Sequence, residues 1–144
     1  MRKFRRFENK KALITGATGG IGSSLVKALK NEGALVAVTD LDTSKIDADA
    51  SFDGNLLNPK FCDELPKKVF DKFKGIDFLC NVAGVITRGK IDKITDEDYN
   101  KTMKVNVEAP FRLCRASIPL MKKGSAIVNV SSCWGLRAGP EHPL

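Results

Sequence analysis

Apolar residues fall along this chain in blocks that switch between two spacings. Ala12-Leu13-Ile14, Ala34-Leu35-Val36-Ala37-Val38, Ile76-Asp77-Phe78-Leu79-Cys80 and Ala126-Ile127-Val128-Asn129-Val130 are short, nearly continuous apolar runs and read as buried strands. Between them apolar positions recur every four residues. Ile21, Leu25 and Leu29, widened by Ala28, predict a first helix, closed by Gly33 in a left-handed cap. Phe61, Leu65, Val69 and Phe73 predict a second, opened by Asn58 as N-cap and Pro59 as first helical residue, kinked at Pro66 and stopped at Gly75. A capping box at Thr95-Asp96-Glu97-Asp98 opens a long third helix. Its stripe is Tyr99, Met103, Val107, Phe111, Cys114, Ile118 and Met121, with Pro110 and Pro119 bending or trimming it and Gly124 as its cap. The polar passage 41–50 is too short for a crossover helix and a strand, so that crossover is abbreviated and leads into a weak strand, Ala50-Ser51-Phe52. Strands alternating with helices predict an α/β fold, a Rossmann-type doubly wound parallel sheet of about five strands.

The first strand meets the first helix at Thr15-Gly16-Ala17-Thr18-Gly19-Gly20-Ile21-Gly22. A turn this tight has little room for side chains. Gly16 permits the turn, Gly20 lets backbone N–H groups approach a diphosphate, and Gly22 lets helix and strand pack closely. The helix N-terminus adds unpaired N–H groups and a partial positive charge. The second strand ends at Asp40, about 20 residues further on, where a carboxylate can accept hydrogen bonds from adenosine ribose hydroxyls. In such sheets ligands sit outside the carboxyl ends of the strands, at the switch in strand order. The stretch 16–22, Asp40, the turn 81–84 and Ser131-Ser132 all follow predicted strands, so they converge on one crevice.

Composition narrows the function. At 144 residues the chain has the length of one domain. No apolar run approaches the ~20 residues of a membrane span. The net charge of +7 is uneven, since residues 1–11 hold six basic residues against Glu8 alone. A nucleic-acid or membrane-surface arm would look like this, but no aromatic-basic platform or recognition helix follows. Residues 1–10 are therefore read as a solvated basic leader to a domain spanning 11–144, with neither nucleic acid nor membrane as partner. The leader lacks the apolar core of a secretory signal. Cys62, Cys80, Cys114 and Cys133 fit no zinc spacing and sit in apolar surroundings, as buried free thiols of a cytoplasmic protein do. No metal site is expected. His142, the single histidine, lies between prolines near the last residue and reads as an exposed bystander.

Four motifs in order resemble the short-chain dehydrogenase/reductase family, from about residue 10 to the last. Thr15-Gly16-Ala17-Thr18-Gly19-Gly20-Ile21-Gly22 matches its TGxxxGxG, and Asn81-Val82-Ala83-Gly84 matches NNAG with valine second. Val105-Asn106-Val107 matches the helix segment with the family's asparagine, and Ile127-Val128-Asn129-Val130-Ser131-Ser132 the strand delivering its serine. The resemblance implies hydride transfer between a nicotinamide and an alcohol or carbonyl carbon. Ser132 and Asn106 are the implied catalytic residues. Ser132 would hydrogen-bond the substrate oxygen, and Asn106 would hold a water in the proton relay. Gly16, Thr18, Gly19, Gly20, Ile21, Gly22, Asp40, Asn55, Asn81, Ala83 and Gly84 are the implied cofactor-binding residues. By register Asn55 meets the adenine, and Asp53 does so if the loop shifts by two. Asp40 argues for NAD, because a carboxylate about 4 Å from a 2′-phosphate is repelled by roughly 4 kcal/mol per charge pair at an effective dielectric of 20. Neither Gly19 nor Leu41 supplies a basic partner for such a phosphate.

The family's tyrosine is expected about thirteen residues after its serine, one position past Leu144, with a lysine four further on. Tyr99 is the only tyrosine and is read as core. The expectation is a C-terminally truncated dehydrogenase, inactive alone, from a homo-oligomeric parent, with the fifth strand left as an open apolar edge. The alternatives are a non-catalytic nucleotide-binding module and a subunit completed in trans.

Overall fold

The computed structural model describes residues 5–136 and Glu141. His142 and the first four residues of the basic leader lie outside them. Five strands, β1 (Lys11–Thr15), β2 (Leu35–Asp40), β3 (Ala50–Asp53), β4 (Ile76–Asn81) and β5 (Met121–Asn129), form one sheet in the order β3-β2-β1-β4-β5, every pairing parallel. The order reverses between β1 and β4, which is where a doubly wound sheet opens its crevice. Helix α1 (Gly20–Asn31) covers one face, over a core of Ile14, Val26, Leu29, Val36 and Val38. Helices α2 (Pro59–Phe73) and α4 (Ala109–Ser117) cover the other, over Leu13, Leu65, Val69, Leu79 and Leu113. The crossover from β2 to β3 is abbreviated as expected and contains no helix.

The helix starts follow the expected chemistry. The Asn58 side chain accepts from the Lys60 and Phe61 N–H groups, with Pro59 at the first turn. Thr95 and Asp98 cap each other reciprocally at the start of α3 (Asp96–Met103). Helix α2 runs unbroken through the buried Pro66. It ends at Phe73, two residues before Gly75, because Lys74 takes the left-handed conformation.

Two helix faces differ from their expected stripes. In α1 the buried positions are Gly22, Val26 and Leu29, while Ile21 and Ala28 are exposed. The face is centred on Gly22 because that is where the helix axis comes nearest the strand. In the long helix the packed positions are Thr102, Val105, Ala109, Leu113 and Ser117. The bulkier stripe faces outward, with Tyr99 48%, Val107 53%, Phe111 60% and Ile118 59% exposed, so Tyr99 is not core. Small residues lie on the packed face and let α4 close onto α2, where Arg112 and Arg115 reach Asp63. The spacing itself changes midway. Residues Lys104–Glu108 form a π-helical turn, with the Ala109 N–H bonded to the Lys104 carbonyl. Pro110 has no N–H to return to the Asn106 carbonyl four residues back, which favours the wider turn.

Gly124 does not cap this helix. A 3₁₀ turn, Ile118–Leu120, ends it at Pro119, and β5 begins at Met121 with Gly124 (φ +90°) in an irregularity of the β4–β5 register. Among the described residues β5 pairs only with β4, and Val128 and Val130 are exposed.

The N-terminal stretch also departs from its reading as a solvated leader. Phe7 packs edge-on against Phe78 at 5.3 Å, the Phe7 N–H donates to the Glu32 carbonyl, and Arg6 pairs with Glu32. Phe7 thus packs on the sheet, while Arg5, Arg6 and Lys10 pair with Glu8, Glu32 and Asp77. Cys62 and Cys80 are buried, but Cys114 is half-buried and Cys133 exposed, and none of the four is paired. Burial, then the Asp63 charge, pushes the Cys62 thiol up to about 11.

Candidate active site

The glycine-rich turn meets β4 at the switch point. Gly16 has φ +66°, and a Cβ on it would lie 2.7 Å from the Ala83 backbone. A Cβ on Gly22 would lie 2.1 Å from the Gly16 carbonyl oxygen. Gly20 differs: a Cβ there would meet nothing within 4 Å. Two of these glycines are required by the fold, and the third borders empty space at the start of α1. Gly19 caps that helix without a side-chain hydrogen bond, so the first-turn N–H groups point outward with the partial positive charge of the helix end.

Thr15, to which sequence reading assigned no role, ties the two sides of the crevice together. Its buried hydroxyl oxygen accepts from the Val82 and Ala83 N–H groups, each at 3.1 Å. Thr15→Val keeps the shape and strands both donors. A buried unsatisfied donor costs about 1–3 kcal/mol. The expected result is a melting temperature lower by several degrees, read by circular dichroism.

The resulting cavity of about 630 Å³ is lined by Gly16, Thr18–Gly22, Asp40, Leu41, Gly54–Leu57, Val82–Val85, Lys101 and Val105. Asp40 stands at its β2 end. Its Oδ2 accepts from the Thr18 N–H at 3.0 Å and hydroxyl at 2.6 Å, and its Oδ1 from the Leu41 N–H at 2.9 Å. Partial burial pushes the Asp40 carboxyl up, but these hydrogen bonds outweigh it and hold the group below its ordinary range. Any stability this adds is present above the unfolded carboxyl pKa, near 4, and is lost as pH falls through the lower folded value. Asn55 lines the cavity, with its side chain accepting from the Leu57 N–H. Asp53 does not line it, and its carboxylate is engaged by the Thr43 N–H and hydroxyl. Of the two alternatives, Asn55 lines the cavity and Asp53 does not.

Three expected site residues lie off the cavity wall. Asn81 is buried, and its amide N–H groups donate to Asn129 Oδ1 at 2.8 Å and toward the Cys114 sulfur. It joins β4 to β5 and does not face the crevice. Asn106 clamps the chain after β4, accepting from the Val85 N–H at 2.9 Å and donating to the Val85 carbonyl at 2.8 Å. Ser132 follows β5 on the same rim, just past the bond from the Val130 N–H to the Asn81 carbonyl, and its oxygen accepts from the Trp134 N–H. Lys101, on α3, is the only cation on the wall among the described residues. It was legible only once the helix face was known. Among the described residues no three His, Cys, Asp or Glu side chains gather as a metal site, and no helix is long and apolar enough to cross a membrane.

A parallel sheet with its glycine-rich turn, helix end and acid gathered at the switch point defines a Rossmann-type α/β protein. The short chain dehydrogenase profile matches residues 10–144, and the chain belongs to that family of oxidoreductases, which use nicotinamide cofactors. An uncharacterized oxidoreductase of Thermotoga maritima is 37% identical over 90% of this chain and 56% of its own length. Galactitol 2-dehydrogenase of Agrobacterium fabrum is 32% identical over 92% of this chain and 56% of its own. A short chain dehydrogenase from Burkholderia cenocepacia, solved in complex with NADP, superposes with a TM-score of 0.89 at 28% identity, covering 95% of this chain and 61% of that one. The chain thus spans little more than half the length of these relatives.

Proposed function

We propose that the crevice holds NAD and that the protein is an oxidoreductase acting on an alcohol or carbonyl compound. The observation that carries this reading is the empty space at Gly20, beside unpaired helix N–H groups and two residues after Thr18, which bonds the Asp40 carboxylate. The residues present fit a dinucleotide. The N–H groups at 20–22 would hold the diphosphate, and Asp40 the adenosine ribose hydroxyls. Asn55, with Leu56, Leu57 and Val105, would take the adenine end, and the Ala83-Gly84 backbone would border the cofactor. When bound, the cofactor supplies the hydride donor or acceptor. The Ser132 hydroxyl would hydrogen-bond the substrate oxygen as charge develops on it, and Asn106 would hold a relay water while fixing the Val85 loop.

The solved neighbours that carry a cofactor in their descriptions carry NADP or NADPH. NAD is favoured here by Asp40 and by the lack of a basic residue at Gly19 or Leu41. The outward stripe of Tyr99, Val107, Phe111 and Ile118 favours a homo-oligomer that covers it. Four unpaired thiols favour a reducing cytoplasm. Fluorescence titration tests the cofactor assignment: NADH is expected to bind more tightly than NADPH, and the reverse order would refute it.

A further inference from the structure

Asp40 does not stand free at the end of β2. Its Oδ2 takes two donors from Thr18, and its Oδ1 takes the Leu41 N–H. A carboxylate offers about four acceptor positions, so one remains open, on Oδ1. Both Thr18 donors belong to the loop that precedes α1, so the loop and the acid are one hydrogen-bonded unit. Geometry of this kind removes the usual escape of a surface carboxylate, which is to rotate away from an approaching anion.

We infer that Thr18 is a positioning residue: its hydroxyl pins the Asp40 carboxylate in place, and this pin is what makes the crevice refuse a 2′-phosphate. The inference rests on the NAD reading of Asp40. A ribose 2′-hydroxyl can donate to the open Oδ1 position while the Thr18 hydroxyl stays on Oδ2. A 2′-phosphate at neutral pH carries acceptors and negative charge only. It can make no hydrogen bond to the carboxylate, and the pin denies that carboxylate a retreat. Without the hydroxyl, the Thr18 N–H on Oδ2 and the Leu41 N–H on Oδ1 remain, but the shortest of the three contacts is lost and the carboxylate is held less firmly against turning toward solvent.

The test compares Thr18→Val, which keeps the β-branched shape, with Thr18→Ser, which restores the hydroxyl. Thr18 is exposed, so neither change burdens the core. The probes are NADH, NADPH, ADP-ribose and 2′-phospho-ADP-ribose, titrated by calorimetry. The last two report on the adenosine half alone. In Thr18→Val the preference for the unphosphorylated ligand of each pair is expected to fall at least fivefold, mainly because the phosphorylated ligand binds better, and Thr18→Ser is expected to restore it. If the unaltered protein prefers NADH and Thr18→Val leaves that preference unchanged, or weakens both ligands equally, the pin is refuted and the NAD reading stands. If the unaltered protein prefers NADPH, the NAD reading itself falls and takes the pin with it.

Discussion

Replacing Gly22 by alanine is expected to lower the melting temperature by roughly 5–10 °C, for a cost of about 2–3 kcal/mol in a domain of this size. The new Cβ would sit 2.1 Å from the Gly16 carbonyl oxygen and 2.8 Å from the Ala17 Cα, both backbone atoms, so no side chain can yield. The loop and the first turn of α1 must part, and with them the N–H cradle, so NADH affinity should fall more than tenfold. Gly20→Ala is the control that separates packing from binding. Its Cβ meets no protein atom within 4 Å, and alanine is the better helix former. Its melting temperature should hold or rise while NADH affinity falls at least tenfold, about 1.4 kcal/mol. Thermal melts and NADH titrations on both variants check this. A Gly20→Ala protein with unaltered affinity would mean the space beside that residue is not where the diphosphate sits.

Asp40→Asn should change cofactor preference more than any other single substitution of similar size. It removes the charge and keeps the shape, and one amide oxygen can still accept from Thr18 or Leu41. The repulsion from a 2′-phosphate, roughly 4 kcal/mol per charge pair at 4 Å and an effective dielectric of 20, is reduced by solvent to a part of that figure. NADPH affinity is therefore expected to rise at least tenfold, while NADH loses a charge-assisted acceptor and weakens about fivefold. Competition between the two nucleotides reads both changes together. The gain should shrink at high salt if it is electrostatic.

Much of this architecture is written locally. The strands are near-continuous apolar runs, and the Asn58 and Thr95 caps need only adjacent residues. The glycine spacing at 16, 20 and 22 carries three separate requirements, and the geometry shows close backbone approach at Gly16 and Gly22 and open space at Gly20. What was not legible depends on distant partners. The outer helix presents two faces, and the larger side chains of Tyr99, Val107 and Phe111 outweigh Val105, Ala109 and Leu113 in any count of hydrophobicity. Only the presence of α2 and the sheet on one side decides which face is buried, and the π turn at Asn106 shifts the spacing between the two halves. Phe7 was hidden among charges because its partner Phe78 lies 71 residues away. Asn81 matched a cofactor motif by sequence, yet its partner Asn129 comes from another strand and turns it into a sheet bond. That Asn55 lines the cavity while Asp53 does not likewise depends on Thr43, which engages the Asp53 carboxylate.

The most direct test of the crevice as a dinucleotide site is the backbone amide spectrum of the isotope-labelled 144-residue chain during NADH titration. The account predicts that the amide signals of Gly19, Gly20, Ile21 and Gly22 shift together with that of Leu41, saturate at one ligand per chain, and move far more than those at the opposite end of the sheet. NADH binding that leaves those amides in place, or an absence of binding by a folded chain, would contradict it.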